Sequence, residues 1–108
     1  MNEELDNLLC EKYPKIFALR HDENSCMSRG FECGEGWFDL IDTLCASIQS
    51  YIDQENEAGN PVKQVVARQV KEKLYTLRFY YNAKEVNDPF IDGMIYFAER
   101  ISEKIPQE

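Results

Sequence analysis

The residues best placed for chemistry lie in one stretch, CGEGWFDLIDTLC, which runs from Cys33 to Cys45 with a cysteine at each end and three acids and a tryptophan between. Asp39 and Asp42 stand three residues apart, a spacing that sets two carboxylates one turn apart on a helix, where such a pair can share general acid and base work. The sequence fixes no histidine and no second acidic cluster beside them, so the pair reads as solvated helix surface. A bridge from Cys33 to Cys45 is excluded by length. At about 1.5 Å per helical residue their α-carbons stand roughly 15 Å apart, beyond the ~7 Å that a disulfide spans. His21, Cys26 and Cys33 have the residue types of a zinc site, but the chain contains neither a CxxC nor an HxxxH pair and has a single histidine. No metal and no other cofactor is expected. A P-loop, a dinucleotide fingerprint and a nucleophile elbow are all missing, and the reading is of a protein that is not an enzyme.

A second group of candidate residues is basic and aromatic. Between residues 63 and 84 there are six lysines and arginines against the single Glu72. The run QVVARQVKEKLYTLRFYYN alternates at Val66, Val70 and Leu74 and again at Leu77, Phe79 and Tyr81, which predicts two strands with a tight reversal near Lys73 to Thr76. With Leu77, Phe79 and Tyr81 turned inward, Thr76, Arg78 and Tyr80 turn outward. Arg68, Lys71, Arg78 and Tyr80 would then form a face able to stack on bases or clamp phosphates.

The elements that position these groups follow from periodicity. At 100° per residue, Trp37, Leu40, Ile41, Leu44, Cys45, Ile48, Tyr51 and Ile52 fall on one stripe, with Asp39, Asp42 and Asp53 outside it, so the quoted stretch opens an amphipathic helix. Gly34 and Gly36 permit a tight approach to it, and Glu35 and Asp39 suit the positive end of its dipole. Trp37 is expected near the core, where truncation to alanine costs about 3–5 kcal/mol. An earlier helix carries Leu5, Leu8, Leu9 and Tyr13 and is interrupted near Pro14. Residues 20 to 34 show no period and read as a long loop. A last helix begins at NDPF, with Asp88 as cap and Pro89 in the first turn. Phe90, Ile91, Met94, Phe97, Ala98 and Ile101 are expected on its apolar face and Tyr96 opposite, while the tail IPQE carries no signal.

The length of 108 residues, with 44% hydrophobic, 12% aromatic and 30% charged side chains, fits one small folded domain spanning residues 1–108. The fold class expected is α+β, with three helices packed on a two-stranded antiparallel β-hairpin. A hairpin leaves two bare edges, which predicts pairing with a second copy and hence a homodimer. No apolar run approaches a membrane span, MNEELDNLL does not resemble a signal peptide, and no membrane association is expected. The four cysteines do not form a dense framework and are expected as thiols in a reducing cytoplasm.

CGEGWFDLIDTLC, followed by QVKEKLYTLRFYY and a helix of the type IDGMIYFAERIS, resembles a family of small uncharacterised proteins encoded by phages, prophages and bacterial genomes. The resemblance spans roughly residues 8 to 103. It implies a phage or prophage setting and action in the bacterial cytoplasm, but no assigned activity. Many relatives continue into a cysteine-rich segment resembling a zinc ribbon, which this chain does not contain, so that zinc function is not carried over.

The net charge of −8 is front-loaded: residues 1–60 hold four basic against thirteen acidic side chains, and residues 61–108 hold eight against seven. Such asymmetry favours oriented association. The function expected is that of an acidic, non-enzymatic interaction protein that binds a bacterial host protein through Glu32, Glu35, Asp39, Asp42 and Tyr96, for instance as a counter-defence inhibitor such as an anti-CRISPR. The alternative is a nucleotide or nucleic-acid module using Arg68, Lys71, Arg78 and Tyr80, which the overall acidity opposes.

Overall fold

The stripe from Ile41 to Ile52 forms the longest helix in the computed structural model, which describes residues 1–108. In chain order the elements are α1 (Glu3–Lys12), β1 (Phe31–Glu32), α2 (Phe38–Glu57), β2 (Ala67–Lys73), β3 (Thr76–Tyr81), α3 (Ala83–Val86) and α4 (Pro89–Ser102). Two short 3₁₀ turns, Cys26–Arg29 and Glu35–Trp37, precede β1 and α2. The architecture is α+β with four helices and a three-stranded mixed sheet in the order β1-β2-β3.

This corrects the expectation of three helices on a two-stranded hairpin. The hairpin is present, antiparallel from Ala67↔Tyr81 to Lys73↔Thr76, and the chain reverses between Lys73 and Thr76 as the alternation predicts. β1, however, lies within the stretch read as loop and pairs parallel to β2 through Phe31↔Val70 and Glu32↔Lys71. Two residues cannot display an alternation, and the single turn of α3 cannot display a helical period.

Helix ends follow local chemistry. The Asn2 side chain accepts from the Leu5 N–H at 2.8 Å to open α1, and Asp88 accepts from the N–H groups of Phe90 and Ile91 with Pro89 in the first turn of α4. Trp37, Ile41, Cys45, Ile48, Val70, Leu77 and Ile91 are fully enclosed in one core. On α4 the buried positions are Ile91, Ile95, Ala98 and Ser102. Phe90 and Phe97, expected inside, are instead exposed, because the helix rests on β3 and α2 along a stripe rotated away from them.

The sheet edges are covered within the chain. β1 occupies one side of β2, and on the outer side of β1 the Phe31 N–H donates to Asp6 Oδ2 at 3.3 Å and the Phe31 carbonyl accepts from the Met1 amino group at 3.2 Å. On the free side of β3, the Leu77 N–H donates to Ser102 Oγ at 2.9 Å and the Phe79 N–H to Glu99 Oε2 at 2.9 Å. Side chains of α4 thus stand where a further strand would pair. The bare edges that led to the homodimer expectation are therefore not present.

The stretch from Arg20 to Gly34 is tied down by a partly buried ion pair. Arg20 Nε donates to Asp6 Oδ1 at 2.8 Å and Nη1 to the Ser28 carbonyl at 2.9 Å, while Asp6 Oδ2 also accepts from the Phe31 N–H at 3.3 Å. This pairing raises the Arg20 pKa and leaves both charges hydrogen-bonded.

The C-terminal segment is the other unforeseen tie. The Trp37 indole N–H donates to the Ile105 carbonyl at 2.8 Å, the Gly34 N–H to Gln107 Oε1 at 2.9 Å, and the Gly36 N–H to the Gln107 carbonyl. A Cβ on Gly36 would lie 2.1 Å from the Pro106 carbonyl oxygen, and one on Gly34 2.4 Å from that of Gln107. The two glycines admit the tail as well as the tight approach to α2. No helix is long and apolar enough to cross a membrane.

Candidate partner-binding surfaces

The acids singled out in the sequence divide into three groups. Glu35 and Asp39 are exposed where the chain enters α2. Asn2 Nδ2 donates to Glu35 Oε1 at 2.8 Å, which brings the first turn of α1, with Glu3 and Glu4, alongside Glu35. Asp42 is consumed internally. It pairs with Lys12 Nζ at 2.7 Å and accepts from the Tyr13 hydroxyl, and these contacts, Lys12 first, hold its carboxyl below the ordinary range. Glu32 is exposed on the sheet, next to Lys71 in register, and accepts from Gln69 Nε2 at 3.1 Å. The acidic corner therefore consists of Glu35 and Asp39 with Glu3 and Glu4, without Asp42 or Glu32. Tyr96 is exposed on α4, with the Arg100 guanidinium 5.5 Å from its ring centre.

Of the basic and aromatic set, Lys71 and Arg78 are directly opposed across β2 and β3, and Tyr80 pairs with Gln69 one step along the same face. Arg68 sits at the irregularity between Ala67 and Gln69. Thr76, expected outside, is buried. Neither Lys71 nor Arg78 has an ion-pair partner, and the buried Arg78 Nε has no acceptor.

Cys10, Cys33 and Cys45 are kept from chemistry by their surroundings. Burial is the first cause in each case, and it pushes the thiols of Cys10 and Cys33 up to about 11 and that of Cys45 higher still. Such thiols stay protonated near neutrality. Cys26 is exposed, as is His21, but Cys33 is buried, and no group of three His, Cys, Asp or Glu side chains is arranged to hold a metal ion.

The structure adds one surface that sequence reasoning missed. The two residues of the hairpin loop, Leu74 and Tyr75, both have positive φ, 53° and 67°, the pattern of a type I′ turn. Glycine and asparagine are the usual occupants. For other residues this backbone region costs about 1–2 kcal/mol each. Here it carries two large apolar side chains, 78% and 82% exposed. The Tyr75 N–H donates to Glu72 Oε2 at 2.6 Å, which fastens the turn to its own strand. The signal in the sequence was a two-residue reversal, KLYT, with no turn-forming residue in it.

The turn and the acidic corner occupy the same end of the molecule. β1 runs parallel to β2, so Gly34 and Glu35 follow it toward the hairpin loop. Tyr75 shares a shallow crevice with Trp37 and residues 102–107, and that tail is bonded to Gly34 and Gly36. No family model matches the chain, nor does any curated protein or solved structure.

Proposed function

We propose that the protein is a non-enzymatic interaction module that docks on another protein through the end carrying the Leu74–Tyr75 turn and the Glu3, Glu4, Glu35 and Asp39 corner. The observation that carries this reading is the turn. Two exposed apolar side chains are held in a backbone conformation that opposes them, at a place where Asn-Gly would fold better. Rigid, projecting aromatic and aliphatic groups are suited to fill a partner's apolar pocket, and the adjacent acids favour a partner with a basic rim, steering its approach. A phage or prophage setting, with a bacterial host protein as target and counter-defence as the purpose, comes from the family resemblance alone.

The test is affinity capture from bacterial lysate at low and high salt with three baits: the wild type, Glu35→Lys/Asp39→Lys, and Leu74→Asn/Tyr75→Gly. A partner retained by the wild type, weakened by salt and by charge reversal, and lost with the turn variant is the expected result. Equal retention by all three baits would remove the reading.

A nucleotide or nucleic-acid module is supported by one observation, the unpaired Lys71 and Arg78 side by side with a buried donor unsatisfied. Like charges directly opposed destabilise a sheet, and a phosphate between them would relieve this. A thermal shift with nucleotides, or retardation of single strands at low salt, abolished by Arg78→Gln, is expected of that reading. The absence of both effects would end it.

A further inference from the structure

The chain entering α2 turns three N–H donors toward one segment: those of Gly34 and Gly36 and that of the Trp37 indole. Residues 105–107 accept all three. In return they give nothing, because the N–H groups of Gln107 and Glu108 donate to no other residue and Pro106 has none. The segment is neither helix nor strand, and none of its residues is fully buried.

This is the way proteins hold an extended peptide, with backbone donors binding the main chain and one side-chain acceptor, here Gln107 Oε1, fixing the register. The floor is cut to main-chain width. A Cβ on Gly36 would collide with the Pro106 carbonyl oxygen, and one on Gly34 with the Gln107 backbone. The hold is weak, since three hydrogen bonds of ordinary net strength return about what the ordering of three residues costs. Only Ile105 packs on the core.

Charge also works against the segment. Gln107 is bonded to both glycines that flank Glu35, so Glu108 follows directly at the acidic corner, and no basic side chain pairs with it. Glu103 is paired with Arg100, and Lys104 lies on the far side of Gln107.

We infer that residues 105–107 are a stand-in ligand, filling in cis a slot that takes from a partner an extended segment of the form x-Pro-Gln followed by a basic residue. The inference deepens the proposed docking end and rests on it for the partner. Tyr75 shares its crevice with Trp37 and this segment. Displacement of the segment bares the edge of Trp37 beside Tyr75, and the incoming basic residue meets Glu35 where Glu108 had stood.

The first measurement is hydrogen exchange on the wild type. The Trp37 indole N–H and the Gly36 N–H are expected to exchange about 100-fold faster than the α2 amides around Ile48, because the segment opens without the core. Peptide binding is then read from Trp37, the single tryptophan. Ile105→Gly/Gln107→Gly loosens the segment and leaves the slot unchanged, and its emission is expected to move to the red with undiminished circular dichroism. The end-blocked synthetic peptide KIPQK is expected to restore the wild-type emission. KIPQE is expected to need several-fold more at low salt, with the difference closing at high salt, and KIPVK to fail. The titration is repeated on the wild type with peptide up to about millimolar, read by the indole N–H resonance, so the result does not depend on the variant's folding.

Exchange at Trp37 and Gly36 as slow as in α2, or no response of either protein to KIPQK, would overturn the inference. A partner captured from lysate that KIPQK does not displace would overturn it too, while leaving the docking end in place. Binding of KIPQK without any captured partner would support the slot and remove the docking end.

Discussion

The backbone enters the left-handed region at Gly30, with φ of 76°, and again at Leu74 and Tyr75. At Gly30 the surroundings explain the residue. A Cβ would lie 2.4 Å from Asp6 Oδ2 and 3.0 Å from Arg20 Nη2, so conformation and space both require glycine where β1 begins beside the partly buried ion pair. Gly59 and Asn87, the other positions of positive φ, are residue types that accept it at low cost. Leu74 and Tyr75 are the exception, and their side chains are 78% and 82% exposed. Where folding alone decides, this chain places glycine or asparagine in such conformations. On the proposed reading, the hairpin turn carries side chains suited to a partner rather than to the fold.

Substitution can break that contrast at either side. Gly30→Ala strains the backbone and pushes Asp6 from Arg20, and a loss of about 3–5 kcal/mol is expected in urea denaturation. Leu74→Asn/Tyr75→Gly acts in the opposite direction. Relief of two unfavourable φ angles is expected to add about 1–2 kcal/mol, on the order of 5 °C or more in Tm. Thiol labelling sharpens the comparison at smaller energies. Cys26 is expected to react in the native protein, Cys10 and Cys33 slowly, and Cys45 only on unfolding. Gly30→Ala is expected to speed labelling of Cys33, whereas the turn variant is expected to leave it unchanged. The smallest effect is at Asp42, whose depressed pKa contributes stability that is present above the ordinary carboxylate range and lost as pH falls below about 4. Asp42→Asn is expected to flatten that acid limb of a stability profile without altering the behaviour of either turn.

What could be read from the sequence was whatever repeats. The α2 stripe from Trp37 to Ile52, the hairpin with its reversal between Lys73 and Thr76, and the capped start of α4 all announce themselves through period or capping chemistry. β1 and α3 were too short to carry a period. The tail escaped because its bonds to Gly34, Gly36 and Trp37 are made largely by backbone carbonyls, which no side-chain pattern records. Of the candidate sites, Glu35 and Asp39 remained a surface pair. Asp42 left it because Lys12 and Tyr13, on the distant α1 side, are brought against it only by folding. Phe90 and Phe97 looked like core because an apolar residue on a helix gives the same signal whether it faces the chain's own interior or another surface.

The most direct measurement joins stability and binding in one variant. Leu74→Asn/Tyr75→Gly is compared with the wild type by thermal melting and by retention of the partner captured from bacterial lysate. A higher Tm together with lost retention is the expected result, and it would show that the turn gives up stability for recognition. A lower Tm, or a partner held as well as before, would contradict the assignment of Leu74 and Tyr75 to docking.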